Sequence, residues 1–216
     1  MDENSSSFRL MKKIAIFASG GGSNFKAIYN NIESGNIDGL IELVVTNNPN
    51  CNAKKFATRS KIPTLVVNDY RYPLNQDKES IILESLQALE IDLICLAGYM
   101  KILPRKIVKS YENKILNIHP GLLPKFGGKG FFGIKVHKAV LNSRERFSGA
   151  TVHFVDEIYD HGPIITQRKI ALSDNETPES LAIKILEIEH ELYPEVIKAF
   201  CEDRIVINGK QIKIMR

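Results

Sequence analysis

In the stretch Ile115-Leu116-Asn117-Ile118-His119-Pro120-Gly121, an apolar run delivers an amide and an imidazole two residues apart. A strand has a side-chain period of two, so both groups fall on one side of it. The residue before a proline favours extended backbone, which keeps His119 strand-like, and Pro120-Gly121 then turns the chain. The pair therefore belongs at the carboxyl end of a buried strand, the place where open α/β sheets bind ligands. An Asn can donate to a developing oxyanion and a His can carry a proton, the minimal set for acyl transfer. Two structural readings compete: an Asn that bonds its own turn, and a His satisfied within the core.

A second chemical feature is Ser19-Gly20-Gly21-Gly22-Ser23-Asn24, which follows the apolar run Ile14 to Ala18 and opens a helix. Backbone N–H groups at such a turn can hold a phosphate. The spacing departs from the dinucleotide fingerprint, because Phe25 stands where the third glycine belongs. The next strand ends in Thr46-Asn47-Asn48, with no acid for a ribose hydroxyl, and no G-K-[ST] follows the loop. One phosphate monoester, held by backbone amides with help from Ser23 and Asn24, fits the pattern; a plain tight turn is the alternative.

Asp160 sits in Tyr159-Asp160-His161-Gly162-Pro163, between two strand-like runs. A carboxylate beside an imidazole raises its pKa and orients its tautomer, so Asp160 is a candidate partner for His119; a solvated turn Asp is the competing reading. His137, on a predicted helix, and His153, on a predicted strand, read as structural. Glu189, next to His190, lies on a long helix, where it either faces solvent or points at an amine ligand. The histidines show neither H-x-H nor H-E-x-x-H spacing, so no metal site is expected.

The elements that must position these groups alternate. Short apolar runs at Ile14 to Ala18, Leu40 to Val45, Thr64 to Val67, Leu93 to Ala97 and Ile115 to Ile118 read as strands buried on both faces. Helical segments lie between them at Asn24 to Glu33, Ala53 to Lys61, Asp77 to Glu90 and Pro104 to Tyr111. This order predicts right-handed βαβ crossovers and a mostly parallel, twisted α/β sheet with helices on both faces. In the carboxyl-terminal half, Gly149 to Val155 and Ile164 to Leu172 predict an antiparallel portion of that sheet. Thr177 then caps a long helix with Pro178 at its first position, and Asn208-Gly209-Lys210 predicts a terminal hairpin.

Composition bounds the rest. The chain has 216 residues, 44% hydrophobic and 25% charged, with a formal charge of +4 spread along its length. We expect a disordered leader over residues 1–11 and a single domain over 12–216, with no nucleic-acid partner and no membrane span. Cys51, Cys95 and Cys201 are odd in number and widely spaced, which suits a reducing cytoplasm.

Together, Ala18 to Asn24, Leu96-Ala97-Gly98-Tyr99-Met100-Lys101-Ile102-Leu103, Asn117 to Pro124 and Asp160-His161-Gly162-Pro163 resemble the phosphoribosylglycinamide formyltransferases, a folate-dependent family of purine synthesis. The likeness runs in order from about Lys12 to about Phe200. It implies a Rossmann-like formyltransferase fold and formyl transfer from 10-formyltetrahydrofolate, as co-substrate without metal, to the amine of glycinamide ribonucleotide. It implies catalytic roles for Asn117, His119 and Asp160, with Asp160 keeping His119 protonated. Gly22, Ser23, Asn24 and Glu189 would bind the ribonucleotide; Met100, Lys101, Ile102, Leu103, Asn117, Val155 and Asp156 would bind the folate. The small-molecule substrates are then the expected partners, and a monomer or a homodimer is open. This sequence departs from the pattern at Gly121, where many members carry Ser, and in the glycine-rich run Gly127 to Gly133. A deformylase and a silent nucleotide-binding module remain the alternative functions.

Overall fold

A computed structural model describes residues 11–209 and 211–215, so most of the expected leader, and Lys210 of the predicted hairpin turn, lie outside the described residues. The elements are β1 (Lys12–Phe17), α1 (Ser23–Glu33), β2 (Gly39–Thr46), α2 (Asn52–Arg59), β3 (Thr64–Val66), α3 (Asn75–Ala88), β4 (Leu93–Leu96), α4 (Arg105–Ser110) and β5 (Ile115–His119). They continue with α5 (Ile134–Asn142), β6 (Phe147–Phe154), β7 (Ile164–Ala171), α6 (Pro178–Cys201), β8 (Ile205–Asn208) and β9 (Gln211–Ile214).

Seven strands form one sheet in the order β3-β2-β1-β4-β5-β6-β7. The first five pair in parallel; β6 runs antiparallel to β5, and β7 antiparallel to β6. The central strands have helices on both faces, which is why their sequences are apolar without alternation. Ile14 and Ile16 of β1 face one core with Phe25 and Ile28 of α1, Val136 and Val140 of α5, and Leu181 and Ile185 of α6. Ala15 and Phe17 face the other with Ile82 and Leu86 of α3 and Ile107 of α4. Burying one such Phe, Ile or Leu side chain contributes about 1.5–3 kcal/mol. β7, at the sheet edge, instead has one buried residue, Ile165, and beyond it alternates half-buried and exposed positions.

α6 begins as its sequence predicts. The Thr177 hydroxyl accepts from the Ser180 N–H, the Ser180 hydroxyl accepts from the Thr177 N–H, and Pro178 occupies the first turn. The separate β8–β9 hairpin packs Ile205, Ile212 and Ile214 against the first core. Among the described residues no helix is long and apolar enough to cross a membrane.

From β1 the chain moves to β2 on one side, and β4 lies on the other, so a topological switch point opens between β1 and β4. The loops after these strands are tied together there. The Ser19 N–H donates to the Gly98 carbonyl at 3.1 Å, and the Met100 N–H donates to Ser19 Oγ at 2.9 Å.

Candidate active site

β5 ends in this crevice and carries Asn117 and His119 to its rim. Asn117 Nδ2 donates to His153 Nε2 at 3.0 Å and to Asp160 Oδ1 at 3.3 Å. His153 Nδ1 lies 2.7 Å from its neighbour's carbonyl, Phe154 O, which can only accept. The proton is therefore on Nδ1, and Nε2 is free to accept from Asn117. His153 thus belongs to the cluster, where sequence reading took it as structural. The register Asn117↔His153 across β5 and β6 brings the two side by side, and cross-strand register leaves no local signal in sequence.

His119 is only 3% exposed. Its Nε2 donates to the Phe126 carbonyl at 2.7 Å, and its Nδ1 faces Asp160 Oδ2 at 3.5 Å. Burial pushes the imidazole below its ordinary pKa, and the opposing Asp160 charge and Phe126 carbonyl do not overcome it. Asp160 raises the His119 pKa in the sense expected, but desolvation lowers it by more. Asp160 itself lies below the usual carboxylate range. Burial raises it, but its neighbours His153 and His119, together with the Gly128 N–H that donates to Oδ2, outweigh that effect.

The backbone around the cluster is tightly fixed. Thr151 Oγ1 donates to Gly121 O at 2.6 Å and accepts from Leu123 N at 3.2 Å, which pins the turn after His119. The Gly128 N–H donates to Asp160 Oδ2 at 3.0 Å. A Cβ on Gly127 would come within 2.3 Å of Leu123 Cδ2 and 2.9 Å of the Asp160 Cβ, so this approach requires glycine.

At the glycine loop, Gly22 adopts φ +75° as the residue preceding α1, and a Cβ there would meet Ala53 Cα at 2.9 Å. The turn aims Asn24 inward. Asn24 Nδ2 donates to Glu189 Oε2 at 2.7 Å, while Asn24 Oδ1 is buried without a partner. Glu189 is 6% exposed, not solvent-facing as a polar pair on a helix suggests. Burial pushes its pKa up to about 7, against the opposing Asn24 hydrogen bond.

Two adjoining cavities share Tyr99 and Tyr159. One, of about 630 Å³, is lined by Asn24, Met100, Asn117, His119, Asp160 and Glu189, together with the glycine-rich loop and His137. The other, of about 720 Å³, takes in Lys101, Ile102, Asn75 and Lys78. Neither cavity wall includes Gly22, Ser23, Leu103, Val155 or Asp156. Leu103 is buried in the second core, and Val155 packs against that core. The Asp156 carboxylate is taken up by His161 Nδ1 at 2.7 Å and the Ile158 N–H at 2.9 Å.

This fold and crevice are those of a formyl transferase: the formyl transferase family pattern matches residues 12–197, and the chain belongs to that family. It is 44% identical over 200 residues to the chloroplastic phosphoribosylglycinamide formyltransferase of Vigna unguiculata, covering 90% of this chain and 62% of the relative. The chain thus spans less than two thirds of that plant relative's length. Phosphoribosylglycinamide formyltransferase of Bacillus subtilis is 39% identical, with 87% of this chain and 94% of the relative covered. Among solved structures, glycinamide ribonucleotide transformylase 1 of Symbiobacterium toebii superposes with a TM-score of 0.88 at 35% identity, covering 95% of each chain.

Proposed function

We propose that this chain transfers the formyl group of 10-formyltetrahydrofolate to the primary amine of glycinamide ribonucleotide, yielding formylglycinamide ribonucleotide and tetrahydrofolate in purine biosynthesis. The observation that carries the reading is one cavity holding Asn117, His119 and Asp160 together with the buried Asn24–Glu189 pair. The names of the Vigna and Bacillus relatives support the same substrate.

In this reading the ribonucleotide phosphate rests on the backbone of Gly22, Ser23 and Asn24 at the start of α1. Glu189, poised between its two protonation states, receives a hydroxyl or the amine. The folate lies along Met100 to Ile102, with its tail in the larger cavity, so the formyl group reaches the amine where the cavities meet.

The neutral amine attacks the formyl carbon, a C–N bond forms, and the carbonyl oxygen becomes an oxyanion. Asn117 Nδ2 donates to that oxygen by releasing its longer contact, the one to Asp160. The growing negative charge raises the proton affinity of His119. A proton lost by the amine is received at His119 Nδ1, beside ionised Asp160. It then passes to the departing folate nitrogen as its bond to the formyl carbon breaks. The three buried, unpaired cysteines support a reducing compartment, and we read it as the cytoplasm.

The test is to follow tetrahydrofolate release with and without glycinamide ribonucleotide. Release only with the ribonucleotide is expected. Release without it would show a deformylase, and no release in either arm would show a silent binding module.

A further inference from the structure

His137 has no place in the reaction just described. It lies in α5, is 3% exposed and lines the smaller cavity. Its Nδ1 is buried without a hydrogen-bond partner, and neither ring nitrogen bonds to any described residue. An unpaired buried polar group of this kind costs about 1–3 kcal/mol, and native interiors keep few of them. A leucine would fill comparable space at no such cost.

The location of the orphan says what it is kept for. α5 packs over the turn that follows His119: the Val136 side chain would lie 3.0 Å from a Cβ on Gly121, and His119 Nε2 3.2 Å from it. The cavity that His137 lines also presents apolar surface from Pro120, Ala182, Ile185 and Leu186. Burial and the neighbouring His119 both disfavour a charge on His137. A neutral imidazole suits a neutral hydrogen-bonding group better than a phosphate.

We infer that His137 is a further substrate-binding residue whose imidazole hydrogen-bonds an amide carbonyl or a ribose hydroxyl of the amine substrate when the cavity fills. The inference rests on the reading that the ribonucleotide occupies this cavity. Its partner belongs to the amine and not to the folate, whose tail is assigned to the larger cavity, where His137 contributes nothing.

The experiment compares wild type, His137→Leu and His137→Asn by calorimetric titration with glycinamide ribonucleotide, by KM for each substrate, and by Tm. His137→Leu should weaken ribonucleotide binding and raise its KM about tenfold, the loss of one hydrogen bond in a dry site. The folate KM should stay within about twofold, and the Tm should hold or rise, since an unpaired polar group has gone. His137→Asn, which retains a donor and an acceptor, should keep ribonucleotide affinity within about threefold of wild type. Unchanged ribonucleotide affinity in His137→Leu would overturn the inference. So would a fallen Tm with both KM values moved together, the mark of a packing residue. If His137→Leu does not fold, His137→Phe, which keeps a ring without nitrogens, is read in the same way. Wild-type turnover, followed in parallel, reports on the transferase reading alone, and ribonucleotide titration tests His137 even where turnover is absent.

Discussion

The two adjoining cavities are built on opposite plans. In the smaller one each reacting group is buried or half-buried and already held: Asn117 by His153 and Asp160, His119 by the Phe126 carbonyl, Asp160 by the Gly128 N–H and Glu189 by Asn24. The larger one is edged by groups in water, such as the Lys78–Asp69 pair, in which the Asp69 side chain is 75% exposed. Charge that develops during a reaction is best met by dipoles fixed in advance, out of water. A flexible, solvated tail needs only complementary charge, and each exposed pair contributes about 0–1 kcal/mol. The same substitution should therefore cost far more in one cavity than in the other.

The largest effect is expected at the centre of the buried set. Asn117→Ala and Asp160→Ala should each lower kcat on the order of a hundredfold or more while calorimetry still detects the ribonucleotide. Near-normal turnover in either would remove the contrast between the cavities.

Glu189→Gln comes next and carries a pH signature. The folded pKa of Glu189 is about 7 against an ordinary 4.5, so the folded state holds a proton that the unfolded state has released. Wild-type stability from this group is thus highest below about pH 4.5 and falls as pH rises toward 7. The Gln variant, which can still accept from Asn24, should match wild type in acid and gain over it by up to about 3 kcal/mol above neutrality. Urea midpoints across that range measure the gap; a gap that stays flat with pH would mean that Glu189 is not held protonated.

Gly22→Ala should cost about 2 kcal/mol, because the residue sits at φ +75° with Ala53 Cα 2.9 Å from the added carbon. It should also raise the ribonucleotide KM more than the folate KM, which steady-state kinetics would show. The smallest effect belongs to the larger cavity. Lys78→Met should raise the folate KM by about threefold or less, an effect that shrinks with added salt and leaves kcat alone. A tenfold change there would equate the two cavities and end the comparison.

What sequence reveals of this molecule follows the range of each interaction. The strands from β1 to β5 are legible because burial on both faces writes itself as a local apolar run, and Asn117 with His119 because strand period is local too. The glycine loop is legible as a turn that opens a helix, though not which of its glycines takes positive φ. The part played by His153 is not, since it depends on antiparallel register with β5. For Glu189 the sequence leaves solvent and ligand both open, and the choice shows only when Asn24 is seen beside it. Leu103, Val155 and Asp156 adjoin motif positions yet turn into the core or into a loop bond, a choice set by packing. The lowered pKa of His119 is equally hidden, because a carboxylate can be read from sequence and a desolvation penalty cannot.

The hydrogen bond between Asn24 and Glu189 joins residues 165 positions apart, and it fixes the order in which the protein can become competent. Tyr193, one turn further along α6, lies within hydrogen-bond distance of the Leu96 and Leu116 carbonyls at 3.2 and 2.9 Å, at the end of β4 and near the start of β5. The cavity proposed for the ribonucleotide lacks the wall formed by Ala182, Ile185, Leu186 and Glu189 until α6 docks. A nascent or clipped chain ending before α6 is therefore blind to this ligand however well its strands are formed. Ligand binding, in turn, adds its mass-action stabilisation only to the chain whose last long helix is in place, and so pulls folding to completion.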